Sequence, residues 1–432
     1  MFKNLFKDCT AVATKYIMVF VYVDIIYHGY GPIFINQIKF TEEIPQHEVV
    51  QRPTPLNASD CVPHFDFILQ QYNIATNRRY VWSPYMMKLV GAYDYRNYSV
   101  VTMDGDGLAG KEIFCRYLDE QQEEILPPVR SIVYPEFAVH CCSRTGTKYM
   151  SLTMKDDDEI NTFVSVEDRT QNNPRYFLSL CLAPMYDDEA KWLMLAEEIE
   201  HYKLQGLDHF YLYVKDYDNY TYELIESYVK SGEAEVIHFR RQRDRPGMEW
   251  QLVGIQDCLQ RSRHHSRYAI FSDLDERITP TTNVKLKDYV GELMRNYSAM
   301  YFRPRRILRT SPVPESYEGE NTLLSHLPAL VFTNTTKIAP AGTLDKCILD
   351  PTKVFIMDVH NIAVFFPGNN TIYTVPPEEA IIRHYRDINV GGWSRNRTIF
   401  YDFAPYVNTT YPESLLPMLY KNVRRRLDSI YL

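Results

Sequence analysis

From residue 176 to residue 272 the apolar positions fall into two alternating kinds of segment. Residues 176–182 (YFLSLCL) form a continuous apolar run, the mark of a strand buried on both faces. Pro184 is expected to break that strand. Asp187, Asp188 and Glu189 then sit where a helix N-terminus favours negative charge. Residues 190–204 carry apolar side chains at helical spacing, and Gly206 ends the helix. The pattern then repeats: a strand at 209–214 (HFYLYV), a helix at 222–230 stopped by Ser231-Gly232, a strand at 235–239, a helix at 249–261 and a strand at 267–272. This β-α-β-α-β-α-β order predicts an α/β fold, a mostly parallel sheet with helices on both faces. Ligands of such sheets bind beyond the carboxyl ends of the strands. The positions to watch are therefore 184–187, 215–216, 240–241 and 273–276.

Upstream the runs are shorter. Residues 88–93, 99–103, 131–137, 148–154 and 161–166 are apolar or alternating stretches separated by Gly, Asp and Pro, which predicts a small β-rich accessory region over 80–172. Residues 28–79, with Pro53, Pro55 and few periodic apolar positions, read as a stem or linker. Lys3 and Lys7 precede a mostly apolar stretch at 11–27 that Lys15 and Asp24 interrupt. A spanning helix wants about 20 apolar residues, and no A-x-A cleavage site is visible. Residues 1–27 thus read as a cytoplasmic tail and weak signal anchor, lysines on the cytoplasmic side. The α/β domain is placed at 173–400 and a C-terminal extension at 401–432.

A net charge of −8 argues against nucleic-acid binding, which requires a basic footprint. The Arg424-Arg425-Arg426 cluster reads as a solvated helix face. None of the 8 cysteines forms a C-x-x-C pair, so a zinc ribbon or thioredoxin-like motif is not expected. Long-range disulfides and buried thiols both fit, and the adjacent Cys141 and Cys142 require different partners unless one stays free. N-x-[ST] sequons occur at Asn57, Asn97, Asn219, Asn296, Asn334, Asn369, Asn396 and Asn408, which favours a luminal or extracellular fate.

The strongest chemical signal is Asp273-Leu274-Asp275-Glu276 at the end of the fourth strand. On an extended backbone, carboxylates at i and i+2 point to the same side. They can then share a hard cation, Mn2+ or Mg2+, that neutralises a diphosphate leaving group. This is the D-x-D arrangement of nucleotide-sugar transferases.

Further pieces make the signal specific: residues 179–186 (SLCLAPMY), Trp192-Leu193 with 197–202, 206–213 (GLDHFYLY), Asp257-Cys258-Leu259 and 271–276 (FSDLDE). Downstream come Lys346-Cys347-Ile348 with Pro351, then His360, then His384-Tyr385-Arg386. In order and spacing these resemble glycosyltransferase family 92, over roughly residues 85–386. The resemblance implies a GT-A fold, a single-pass type II Golgi membrane protein with a luminal catalytic domain, and inverting transfer from a nucleotide sugar. Characterised relatives of that family move galactose from UDP-galactose, including onto fucose of N-glycan cores. It further implies Asp275 as the main metal ligand, Asp273 as its partner, and His384 as a third ligand with His360 as the alternative. Arg386 suits a diphosphate, and the donor base is expected near Pro184 and Asp187 with Tyr186 stacking on it.

Inverting transfer needs a general base, for which Asp345 and Asp358 are candidates that the sequence does not separate. Trp192 and Trp250 lie inside helical patterns and are expected in the core, while Trp393 could line an acceptor pocket. The alternative function is a catalytically inactive luminal glycan-binding or scaffold relative. A metal-dependent phosphodiesterase would carry a richer His/Asp cluster.

Overall fold

The structure, a computed structural model, describes residues 53–75, 87–105, 107–187, 189–239, 247–387 and 405–432. The expected N-terminal anchor, Trp393 and Asn396 lie outside these residues.

A seven-stranded sheet forms the centre, in the order Ala234–His238, His209–Val214, Tyr176–Met185, Ser266–Ser272, Lys346–Leu349, Ala299–Phe302 and Ile372–Thr374. The first four strands are mutually parallel, and Lys346–Leu349 runs antiparallel between Ser266–Ser272 and Ala299–Phe302. Successive side chains enter opposite cores, as strand geometry demands. Leu178, Leu180, Leu182, Phe210, Leu212, Tyr268 and Ile270 face one core, together with Trp192–Leu204, Asn219–Lys230 and the C-terminal helix Leu416–Tyr431. Cys181, Tyr211, Tyr213, Ala269 and Phe271 face the other, together with helix Gly247–Ser262. This two-sided burial is why these strands read as unbroken apolar runs. Trp192 and Trp250 are both core residues.

Pro184 does not end its strand, which continues to Met185. Leu182 pairs with Leu212 and Met185 with Val214, so the strand bulges around Pro184. A residue with no N–H is tolerated where the ladder is already interrupted. The helix Gly247–Ser262 lies directly over this bulge. A Cβ on Gly254 would sit 2.8 Å from the Pro184 ring, so only glycine permits the approach.

A second, five-stranded sheet carries Glu276–Pro280, Ala380–Asp387, Pro304–Arg309, Asn334–Ile338 and Val407–Asn408 in that order. Its antiparallel register sets Glu276 opposite His384.

An eight-stranded, mostly antiparallel sheet contains Leu89–Asp94, Tyr98–Met103, Glu112–Leu118, Val129–Ile132, Ala138–Cys142, Tyr149–Thr153 and Val164–Asp168, with Leu56–Asn57 at one edge. Part of the segment read as a stem is folded onto it: helix Phe65–Ala75 inserts Phe65 and Ile68 into its core beside Ala58 and Val62. Two buried positions in eleven residues leave too faint a periodicity to read from sequence. The adjacent cysteines take different partners, Cys61–Cys142 and Cys115–Cys141, and a third disulfide joins Cys181 to Cys258.

Asp257, fully buried on helix Gly247–Ser262, ties the two large sheets together. It accepts hydrogen bonds from Tyr93 at 2.7 Å and from Thr102 on the eight-stranded sheet, and from Tyr213 at 2.6 Å on the central one. Arg261, one turn along the helix, donates to it at 3.0 Å and supplies the compensating charge.

Candidate functional site

The acidic motif is a turn rather than extended backbone. The Glu276 N–H closes it by donating to the Asp273 carbonyl at 3.1 Å. The two carboxylates thus leave a turn, and each has its own set of partners.

Asp273 is held from three directions. Its Oδ1 accepts from Gln251 at 2.8 Å, its Oδ2 accepts from Lys346 at 3.0 Å, and its N–H donates to Glu276 at 3.0 Å. Lys346 Nζ also lies 3.4 Å from Glu276, and its side chain is 2% exposed. Burial lowers the Lys346 ammonium's proton affinity, but Asp273 and Glu276 outweigh that and hold it above the usual range. Glu276, fully buried, is pushed up by desolvation, with Lys346 opposing and Asp273 adding to the rise.

Asp275 faces the second sheet. His384 Nε2 lies 3.3 Å and Arg386 Nη1 3.4 Å from its Oδ2, while His384 Nδ1 lies 3.5 Å from Glu276. The Tyr385 N–H donates to the Asp275 carbonyl at 2.8 Å and fixes the turn against strand Ala380–Asp387. Desolvation alone would raise the Asp275 carboxyl, but His384, Arg386 and Lys346 together hold it well below the usual carboxylate range.

The donor-side residues sit beside this turn. Pro184 lies in the bulge, Tyr186 is half-exposed beyond it, and Asp187 takes a φ of 66°, in the left-handed region. The Tyr186 hydroxyl is pushed up by burial and then by Asp273 and Asp187. His360 stands near the same carboxylates without replacing His384: burial and Lys346 lower its affinity for protons, Asp273 raises it, and the ring bonds to the Asp345 backbone. Asp345 and Asp358, equivalent in the sequence, differ here. Asp345 is buried, one oxygen accepts from the Gly342 N–H at 2.9 Å, the other has no hydrogen-bond partner, and burial pushes its carboxyl up. Asp358 is exposed and accepts from the Val359 N–H.

Gln251 and Lys346 were not foreseen as site residues. Lys346 carries a signal only as part of Lys346-Cys347-Ile348, and Gln251 carries none, because a helix packed across the sheet brings it to Asp273. Of the sequons within the described residues, Asn97, Asn219, Asn296, Asn334 and Asn408 are exposed, and Asn57 and Asn369 are half-buried.

The residues around Asp275 fit a divalent cation. His384 and Glu276 Oε1 are buried with no well-formed hydrogen bond; the imidazole lies 3.3 Å from Asp275 and 3.5 Å from Glu276, and against the effect of burial these carboxylates favour its charged form, so a cation bound there would take the place of the ring proton. A carboxylate with a neighbouring imidazole is a donor set that Mn2+ accepts. Asp273, already bonded on both oxygens, is less free to serve as a direct ligand.

Among solved structures, the chain is similar to TarS residues 1–349 of S. aureus in complex with UDP-GlcNAc, at 12% identity and TM-score 0.28 over 51% of this chain and 61% of that one. It is also similar to the mannosyltransferase PcManGT from Pyrobaculum calidifontis in complex with GDP-Man and Mn2+, at 11% identity and TM-score 0.29 over 60% and 76%. Among curated proteins, it is similar to the beta-1,4-galactosyltransferase galt-1 of Caenorhabditis elegans, 22% identical over 227 residues, or 49% of this chain and 48% of the relative. The chain thus spans about half the length of that relative. Residues 176–419, more than half of the sequence and including the whole of the Asp273–Asp275–His384–Arg386 group, match glycosyltransferase family 92, and the chain belongs to that family.

Proposed function

We propose that this glycosyltransferase is an active, metal-dependent, inverting hexosyltransferase that moves galactose from UDP-galactose onto a hydroxyl of a glycan such as N-glycan core fucose. The observation that carries the reading is the pairing of Asp275 with a buried imidazole and a guanidinium at the carboxyl end of the parallel strands. Asp275 and His384 would hold Mn2+ or Mg2+, which when bound supplies charge neutralisation to a diphosphate leaving group.

The chain's own groups complete the chemistry. Arg386 contributes a fixed positive charge and paired donors toward phosphate oxygens. Gln251 and Lys346 lock Asp273, so the wall facing the donor does not reorganise during transfer. Tyr186, with an exposed ring face beyond the first strand, is suited to stack on the uracil. Asp345 is the better of the two base candidates: its raised carboxyl and open oxygen suit accepting the acceptor hydroxyl's proton as the new glycosidic bond forms. The three disulfides and the exposed sequons support a luminal, oxidising location. Golgi attachment through residues 11–27 completes the proposal. Among the described residues no helix is long and apolar enough to cross a membrane.

The test is a donor screen on the chain from about residue 45 onward, with UDP-galactose, UDP-glucose, UDP-N-acetylglucosamine and GDP sugars, with and without Mn2+. Mn2+-dependent turnover of UDP-galactose is expected. Turnover of another donor corrects the sugar, and neither turnover nor donor binding by calorimetry supports the inactive glycan-binding alternative.

A further inference from the structure

At the opposite, amino end of the same parallel strands lies a second cluster that the transfer chemistry does not use. His209 begins its strand, Glu235 is the second residue of the neighbouring strand, and His265 immediately precedes Ser266–Ser272. His209 Nε2 lies 3.0 Å from Glu235 Oε1, and His265 Nδ1 lies 3.9 Å from the same oxygen. All three donor atoms lie within 4.8 Å of one another, and this is the one such three-donor group of His, Cys, Asp or Glu among the described residues.

We propose that His209, Glu235 and His265 form a structural site for a divalent transition ion of the zinc class, separate from the acidic turn. Two imidazoles and a carboxylate suit zinc rather than a hard ion such as Mg2+. Donors about 2.1 Å from a tetrahedral ion stand about 3.4 Å apart, and the distances of 3.0 and 3.9 Å bracket that spacing.

The surroundings place the rings in advance. The Tyr176 ring stacks on His209 at 4.2 Å between centroids, 4° from parallel, and meets His265 edge-on at 5.0 Å. The Tyr211 hydroxyl bonds His265 Nδ1 at 2.7 Å and Ser266 Oγ at 3.0 Å, so it keeps a partner when the ion takes the nitrogen. The opposing charges are Arg261, whose Nη1 lies 3.8 Å from Glu235 Oε2, and Arg169 and Arg175, which both add to burial in disfavouring a protonated His265. The Arg261 contact engages the oxygen pointing away from the imidazoles and leaves Oε1 for the ion. Since Tyr176–Met185 runs between the strands of His209 and His265, the ion would tie the amino ends of the four parallel strands together.

The test uses Zn2+ alone as probe, on chelator-treated full-length protein carrying Asp275→Asn to disable the acidic turn. Calorimetry is expected to show one Zn2+ bound per chain, with a melting temperature that rises with Zn2+. Affinity should weaken at least tenfold in His265→Gln and in Glu235→Gln. No binding in the Asp275→Asn protein, or equal binding after His265→Gln, overturns the proposal. Because either variant could fail to fold, crystals of the unaltered protein soaked in Zn2+ provide a second measurement. An anomalous peak among the three donors supports the site, and peaks only elsewhere, or none, overturn it.

Discussion

A buried lysine sets the electrostatics of the acidic turn. Lys346 lies within 3.4 Å of both Asp273 and Glu276, and replacing it by methionine would remove the ion-pair partner of Asp273 and leave Glu276 with His384 alone. Removing one partner of a buried pair costs roughly 3–5 kcal/mol. Lys346→Met is therefore expected to lower the denaturation midpoint by that order and to abolish transfer; an unchanged midpoint would contradict the arrangement. Asp275→Asn tests a different role. It keeps the side chain's shape and the Tyr385 backbone bond, so circular dichroism should be unaltered while transfer falls at least about 100-fold, the scale lost with a principal transition-state contact. The acids were legible in the sequence because they are neighbours in the chain. Lys346 and Gln251 were not, because 73 and 22 residues separate them from Asp273 and only sheet pairing and helix packing bring them to it. The turn itself was missed because D-x-D spacing is equally compatible with extended chain.

At the scale of elements, helix Gly247–Ser262 governs how the site is assembled. It crosses the strand Tyr176–Met185 at the Pro184 bulge, carries Gln251 to Asp273, and is fastened by Cys181–Cys258. Gly254→Ala pushes its Cβ against the Pro184 ring, which cannot rotate away. Overpacking of this kind costs roughly 1–3 kcal/mol, and the displaced helix should draw Gln251 off Asp273. A lower melting temperature accompanied by reduced kcat is the expected result, read by calorimetry and donor turnover. Removing the crosslink with the paired change Cys181→Ala and Cys258→Ala should cost roughly 2–4 kcal/mol in denaturant titration. The alternating strands and helices of this region were readable because the three inner parallel strands are apolar on both faces and turn residues such as Gly206 and Ser231-Gly232 separate them from the helices. Pro184 misled because a bulge forgives a missing N–H. The strand Ala138–Cys142 was passed over, since all five of its positions are buried and AVHCC shows no clean alternation.

For the whole molecule, several histidines are buried as neutral rings. Desolvation, then Arg277, pushes His201 down to about 3, and desolvation, then Arg263, pushes His64 down to about 4. Each has a folded-state value below the unfolded value of about 6.5. The unfolded chain therefore takes up protons first as pH falls. Stability is undiminished above about pH 6.5 and is lost progressively toward the folded values, with a slope of at most about 1.4 kcal/mol per pH unit for each ring. Denaturant midpoints should fall between pH 7 and pH 5, and less steeply in His201→Gln; equal slopes would remove His201 from the account. No sequence pattern announces such rings, because their burial comes from contacts such as His201 with Tyr411, 210 residues away. The carboxylate of Asp257 has the widest consequence. It is satisfied by hydroxyls from both large sheets. A fragment beginning at residue 173 would strip it of Tyr93 and Thr102 and bare the helix that positions Gln251. The smallest autonomous piece of this glycosyltransferase therefore includes the eight-stranded sheet, and changes at Tyr93 or Thr102 would surface as failed folding rather than as altered sugar chemistry.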